Sequence, residues 1–266
     1  MTQAKVLFLG SNATQIELRG GGSATIGQYL NETVVPAMAL IEAGYEVVLA
    51  TPDGSKPHID ADSDTVDHFS GDQAAYERGR RFFAEHPAMN EVRTLASVIA
   101  QGLDGFAGVF VPGGHAPVVD LMQDRNVGTI LRHFHAKGQP TGLLCHGPVA
   151  IVAALADPAA YRAALVEGDD ARAAELGKDW IYAGYRMTIF SESEEKIAEE
   201  FLLKGELTFD MPKALRLAGG EVSAAPENFA VNVVVDRELI TGQNPASDHA
   251  VAKAMIEALG GSRITA

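Results

Sequence analysis

One cysteine, Cys145, stands in 266 residues, which rules out an internal disulfide framework and any cysteine-rich metal cluster. Positive charge is also scarce. There are 21 Lys and Arg against 35 Asp and Glu, a formal net charge of -14 at pH 7. Such a surface repels phosphate backbones and anionic bilayers, which argues against nucleic-acid and membrane partners. Nor does any apolar run reach membrane-spanning length. The first apolar stretch, Val6-Leu7-Phe8-Leu9, is too short for a secretory signal and reads as a first strand, so a cytoplasmic protein is expected. What is abundant is apolar mass. At 47% hydrophobic residues, the chain can bury a substantial core.

Strand-like and helix-like patterns alternate along the chain. Residues 5–10 read as a strand, 11–23 as a polar glycine-rich loop, and 25–43 as a helix closing at Gly44, with Pro36 expected to kink or split it. Residues 46–51 form a second strand, ended by the turn Pro52-Asp53-Gly54. Residues 55–90 interrupt the alternation. Asp60, Asp62, Asp64 and Asp67 lie close together there, but the Gly and terminal Glu of a calcium loop are missing, so a solvated loop is expected. His58, His68 and His86 lack helical metal-ligand spacing and read as surface or loop residues. Helices are expected over 73–85, 92–102 and 127–137, and a strand over 108–112. A polar, alanine-rich helical insertion is expected over 156–179, then one or two strands over 180–190. A hairpin across Asp236-Arg237 and a last helix over 248–259 complete the pattern. The reading is one α/β domain over 1–266, a doubly wound, mostly parallel sheet flanked by helices, with insertions near 55–90 and 156–179.

The chemistry centres on Thr141-Gly142-Leu143-Leu144-Cys145-His146-Gly147-Pro148-Val149-Ala150. An apolar strand meets Cys145, turns at Gly147-Pro148, and continues over 149–155 in a helical pattern with Pro in its tolerated first turn. This is the layout of a nucleophile elbow, which lifts one side chain above the sheet edge and aims helix N–H groups at it. A thiol so placed is expected to be acidified and reactive. The alternative for Cys145 is a small core residue. His146 serves either as a catalytic imidazole or as a structural hydrogen-bond donor.

Two further stretches support the elbow. Phe110-Val111-Pro112 runs into Gly113-Gly114-His115, and two glycines at a strand's C-terminal end let backbone N–H groups approach a ligand. Gly113 and Gly114 are therefore candidate oxyanion donors beside Cys145, and equally a tight turn needing positive φ. Asp120 reads as support for the local turn. Ser191 with Glu194 three residues on has capping-box spacing and opens a helix.

The segments Phe110-Val111-Pro112-Gly113-Gly114-His115, Leu144-Cys145-His146-Gly147-Pro148, 190–195 and Thr241-Gly242-Gln243-Asn244-Pro245-Ala246-Ser247 together resemble the ThiJ/PfpI superfamily, of class I glutamine-amidotransferase-like fold. Length and the Asn-Pro-Ala-Ser loop look most like its heat-shock chaperone branch, whose members act as glutathione-independent glyoxalases. The resemblance implies Cys145 as nucleophile, His146 as its neighbouring triad histidine, and Glu195 as triad acid, with Glu194 competing for that place. It places Glu32 against the cysteine, and gives the oxyanion hole to Gly114 and the His146 amide, with His115 beside it. It further implies a 2-oxoaldehyde substrate such as methylglyoxal, no metal or organic cofactor, and a homodimer. A holdase chaperone, a deglycase, a cysteine peptidase or amidase, and an oxidation sensor are the rival functions.

Overall fold

Seven strands form one sheet whose order differs from their order in the chain. From one edge it runs Val233–Asp236, Leu239–Gly242, Thr141–Leu144, Phe106–Val111, Lys5–Leu9, Glu46–Thr51, Arg93–Thr94. Only the first pair is antiparallel; every other neighbour pairs in parallel. Parallel pairs need long crossovers, and the intervening helices supply them. The structure, a computed structural model, describes residues 3–260.

The strands are aliphatic on both faces because both faces are covered. Leu7, Leu9, Val109, Val111 and Leu143 enter one core, where the helix Arg125–Ala136 packs with Val127, Ile130, Leu131 and Phe134. Val6, Phe8, Phe110, Leu144 and Ile240 enter the other, closed by the helices Leu30–Glu42 and Asp248–Ala258 through Ala37, Leu40, Val251 and Met255. The doubly wound α/β architecture expected from the alternation is the one observed. From Lys5–Leu9 the winding goes outward in two directions, so the crevice at the strand ends between it and Phe106–Val111 is a topological switch point. Glycines 113 and 114 and the elbow lie at that end.

Several local expectations change. Residues 11–25 are not simply a loop, since Gln15–Glu17 and Ser23–Thr25 pair as a hairpin across three glycines, all at positive φ. Pro36 does not split its helix, which starts at Leu30 rather than near 25. Arg93–Thr94 is a short edge strand ahead of the helix Leu95–Gln101. Over 180–190 only Arg186–Met187 is extended, pairing with Glu221–Val222. There Trp180, Tyr182 and Tyr185 pack their rings together, and this aromatic cluster produces the alternation that reads as strand. The segment after the elbow, Gly147–Ala154, is 3-10 rather than α-helical, and all of it is buried.

Candidate active site

Cys145 ends the buried strand Thr141–Leu144 and takes φ of 60°, the left-handed region that side-chain-bearing residues avoid at a cost of about 1–2 kcal/mol. Two backbone bonds hold the strained turn. The Cys145 amide donates to Gly242 O at 2.9 Å, and its carbonyl accepts from the Phe190 amide at 2.9 Å. The result points the thiol at the floor of a cavity of about 400 Å³, with only 1% of the residue exposed.

Two proton-carrying groups flank the sulfur. His146 Nδ1 lies 3.2 Å from Sγ, so the neighbouring residues of the turn converge. Glu32 comes from the first turn of Leu30–Glu42 and is completely buried. Its Oε2 accepts from the Gly113 amide at 2.8 Å, Oε1 has no hydrogen-bond partner, and the carboxyl lies beside the Cys145 thiol. Burial pushes the Glu32 carboxyl up to about 8, outweighing the thiol and the Gly113 amide, which favour its charge.

The thiol itself is not acidified. Burial and then the neighbouring Glu32 raise Cys145 well above its ordinary value, and the Gly114 amide offsets only part of this. The expected resting thiolate is thus corrected to a thiol. A short 3-10 turn and one amide cannot compensate for removing the sulfur from water next to a carboxyl group.

Behind the histidine lies one carboxylate shared by two rings. Glu195 Oε2 meets His146 Nε2 at 2.8 Å, and Oε1 meets His115 Nε2 at 2.8 Å. Burial opposes the Glu195 charge, but the two imidazoles outweigh it and hold the carboxyl well below the usual carboxylate range. The rings diverge. Burial lowers both, yet Glu195 wins at His115 and raises it, whereas His146 is lowered by burial and by the His115 charge 4.1 Å away between ring centroids. His146 is thus held toward its neutral form, with Nδ1 facing the thiol, and His115 toward its charged form beside Glu195.

Glu194 is placed elsewhere. It caps its own helix through Ser191 and accepts from Gln243, Asn244 and the Phe229 amide, so it ties down the 241–247 loop.

A model described as the DJ-1/PfpI family matches residues 27–157, a span that holds Glu32, Gly113, Gly114, His115, Cys145 and His146. The chain belongs to the DJ-1/PfpI family. Among its curated relatives, the protein/nucleic acid deglycase HchA of Pseudomonas aeruginosa strain UCBPP-PA14 is 25% identical over 255 residues, covering 94% of this chain and 78% of its own. The Rapid Encystment Protein 24 KDa of Francisella tularensis superposes with a TM-score of 0.69 at 21% identity, covering 96% of this chain and 99% of that one. Glyoxalase III from Candida albicans superposes at 0.66 and 18% identity, covering 96% and 97%.

In this DJ-1/PfpI chain Cys145, His146, Glu195, His115 and Glu32 come together as one buried cluster. Gly113 is a correction. Its amide is committed to Glu32, so it is not free to hold an oxyanion, and it is glycine because a Cβ there would sit 2.5 Å from Glu32 Oε2 and from Leu144 O. Gly114 has φ of 79°, turning its amide toward Sγ. The His146 amide donates to no acceptor among the described residues, leaving it and Gly114 as the available donors.

His115, His146 and Glu195 could also hold a metal ion, since their ligand atoms lie within 4.8 Å of one another. An ion there would have to replace both His–Glu bonds. Sequence reasoning missed Tyr29 and His68, which line the cavity edge to face at 5.3 Å. His68 is thus not merely a surface residue, and only its place directly after Asp67 hinted at this. Asp60 is likewise buried rather than solvated, accepting from the Gly27 and Asp62 amides. Asp120 does support its turn, accepting from Ser11, Asn12 and Leu121.

Proposed function

We propose that the chain is a glutathione-independent glyoxalase that converts 2-oxoaldehydes such as methylglyoxal to 2-hydroxy acids through a Cys145 hemithioacetal. The observation that carries this reading is a thiol set between a neutral imidazole and a protonated carboxylic acid, each able to move a proton.

The steps balance without an outside oxidant or reductant. Sulfur attacks the aldehyde carbon, its proton passes to His146 Nδ1, and Glu32 gives its proton to the aldehyde oxygen. The developing oxyanion faces the Gly114 and His146 amides. The Glu32 carboxylate, with a pKa raised to about 8, is then a base matched to neutral pH and takes the C1 proton. The electrons form C1=C2, and the C2 oxygen takes the proton from His146. In the enediol, Glu32 returns its proton to C2, while the C1 hydroxyl gives its own to His146, leaving a thioester. C1 is thereby oxidised and C2 reduced. Water attacks the thioester as Glu32 takes its proton, and the departing sulfur recovers a proton from His146. Glu195 orients His146 and balances its transient charge.

Purified protein without glutathione or added metal should form lactate from methylglyoxal, and Cys145→Ser and Glu32→Gln should each reduce turnover by at least about a thousandfold. Lactate formation that survives Cys145→Ser would end this reading. A second reading, deglycase action, is favoured by the names of the relatives: sulfur would displace the amine from a methylglyoxal aminocarbinol, the amine leaving unmodified with the thiol proton, and the resulting hemithioacetal would follow the same path. It is separated by assaying lactate release from glycated peptide against free methylglyoxal. A DNA substrate belongs in that assay too, since the charge argument concerns backbone binding rather than a single modified base.

A further inference from the structure

One wall of the cavity over Cys145 is a run of mutually tilted rings. Centroids of His115 and His146 lie 4.1 Å apart, His146 and Phe190 4.6 Å, and Phe190 and Phe229 6.2 Å. The run leads from the imidazole on the thiol to the mouth, which Ile197, Phe201 and Leu202 also line. Phe201 and Phe229 are 64% and 46% exposed, against the tendency of such side chains to be buried.

Uncommon backbone holds both phenylalanines there. Phe201 sits in a π-helical turn, Glu199–Leu203, that continues the helix carrying Glu195. Single π turns recur at functional sites because the extra residue re-aims the side chains that follow. Phe229 has φ of 60°, an outlier for so bulky a residue, and its amide is tied to Glu194 Oε1 at 2.6 Å. Strain at Phe229 and a π turn at Phe201, both kept at a cavity mouth where they leave two rings facing solvent, point to a use for those rings. A three-carbon oxoaldehyde reaches only the polar floor and leaves the ring wall in water.

The geometry points to 2-oxoaldehydes bearing an aromatic or long alkyl substituent as the preferred substrates of the Cys145 site, with Phe201 and Phe229 setting that preference. The inference rests on the glyoxalase reading above. The reacting carbonyls lie over the thiol, and the apolar substituent extends along Phe190 to the mouth. Asp62 and Asp67, also lining the cavity, repel the carboxylate product and favour its release.

The test compares kcat/KM for phenylglyoxal and for methylglyoxal. The wild-type ratio should favour phenylglyoxal by about tenfold or more, and Phe201→Ala with Phe229→Ala should lower that ratio about tenfold, chiefly through KM for phenylglyoxal. Val166→Ala, an exposed apolar residue away from the cavity, should leave the ratio unchanged. A wild-type measurement needs no variant to fold: mandelate should inhibit methylglyoxal turnover at about tenfold lower concentration than lactate. Methylglyoxal turnover with a ratio near unity, or with mandelate no better than lactate, overturns the inference alone. A ratio unmoved in the double variant while its oligomeric mass falls assigns the rings to a contact between copies, and also overturns it. No turnover of either aldehyde overturns the glyoxalase reading, and this inference with it.

Discussion

Glu32 is a carboxylic acid kept in its protonated form by burial, and this has consequences for both reactivity and stability. The unfolded chain releases the proton near the ordinary value of 4.5, whereas the folded chain holds it to about 8. Folding therefore takes up a proton between those values, and stability falls as pH rises through that window. Glu32→Gln removes this dependence. Thermal denaturation should show the variant gaining on the wild type across the window, reaching about 4–5 kcal/mol at its upper end even as turnover is lost. Above about pH 8, where the wild-type carboxyl is charged, the same variant relieves one cause of the raised Cys145 value, so iodoacetamide should alkylate it about tenfold faster there. An unchanged alkylation rate would show that Glu32 does not govern the thiol. At this scale the sequence was legible for Cys145, because the elbow pattern is local. It was silent on the protonation state, which depends on residues far apart in the chain. Glu32 and Glu195 were reachable only through family resemblance, because neither carries a local signal.

Among the secondary-structure elements, the site depends on how closely the 106–115 segment approaches its neighbours. Gly113 has Glu32, Leu144 and Cys145 all within contact of where a Cβ would stand. Backbone oxygen cannot give way as a flexible side-chain tip can. Gly113→Ala should therefore separate Glu32 from Sγ, cutting turnover about a hundredfold and stability by about 1–3 kcal/mol. Retention of both would mean that the Glu32–Cys145 approach is not needed. Strands and long helices were legible from aliphatic runs and periodicity. The 3-10 form of Gly147–Ala154 was not, because its composition suits either helix and burial in a narrow space between layers decides the pitch. The short Arg93–Thr94 strand was missed for a similar reason, since only its place beside Glu46–Thr51 makes it extended.

For the whole molecule, the mostly parallel sheet follows from strands alternating with crossover helices, which is why the fold class is legible in the sequence alone. No helix among the described residues is long and apolar enough to cross a membrane. Assembly leaves no such trace in a single chain. We propose the homodimer that the family resemblance implies, so light scattering should give twice the 28.1 kDa chain mass. A mass equal to one chain would remove the dimer.

The elbow is held by parts of the chain made long after it. The Cys145 amide needs the carbonyl of Gly242, and its carbonyl needs the amide of Phe190. A nascent polypeptide halted before Gly242 thus carries a cysteine whose backbone has no acceptor to fix it. Placement of that sulfur at the site is therefore completed only once the chain through Gly242 has been made.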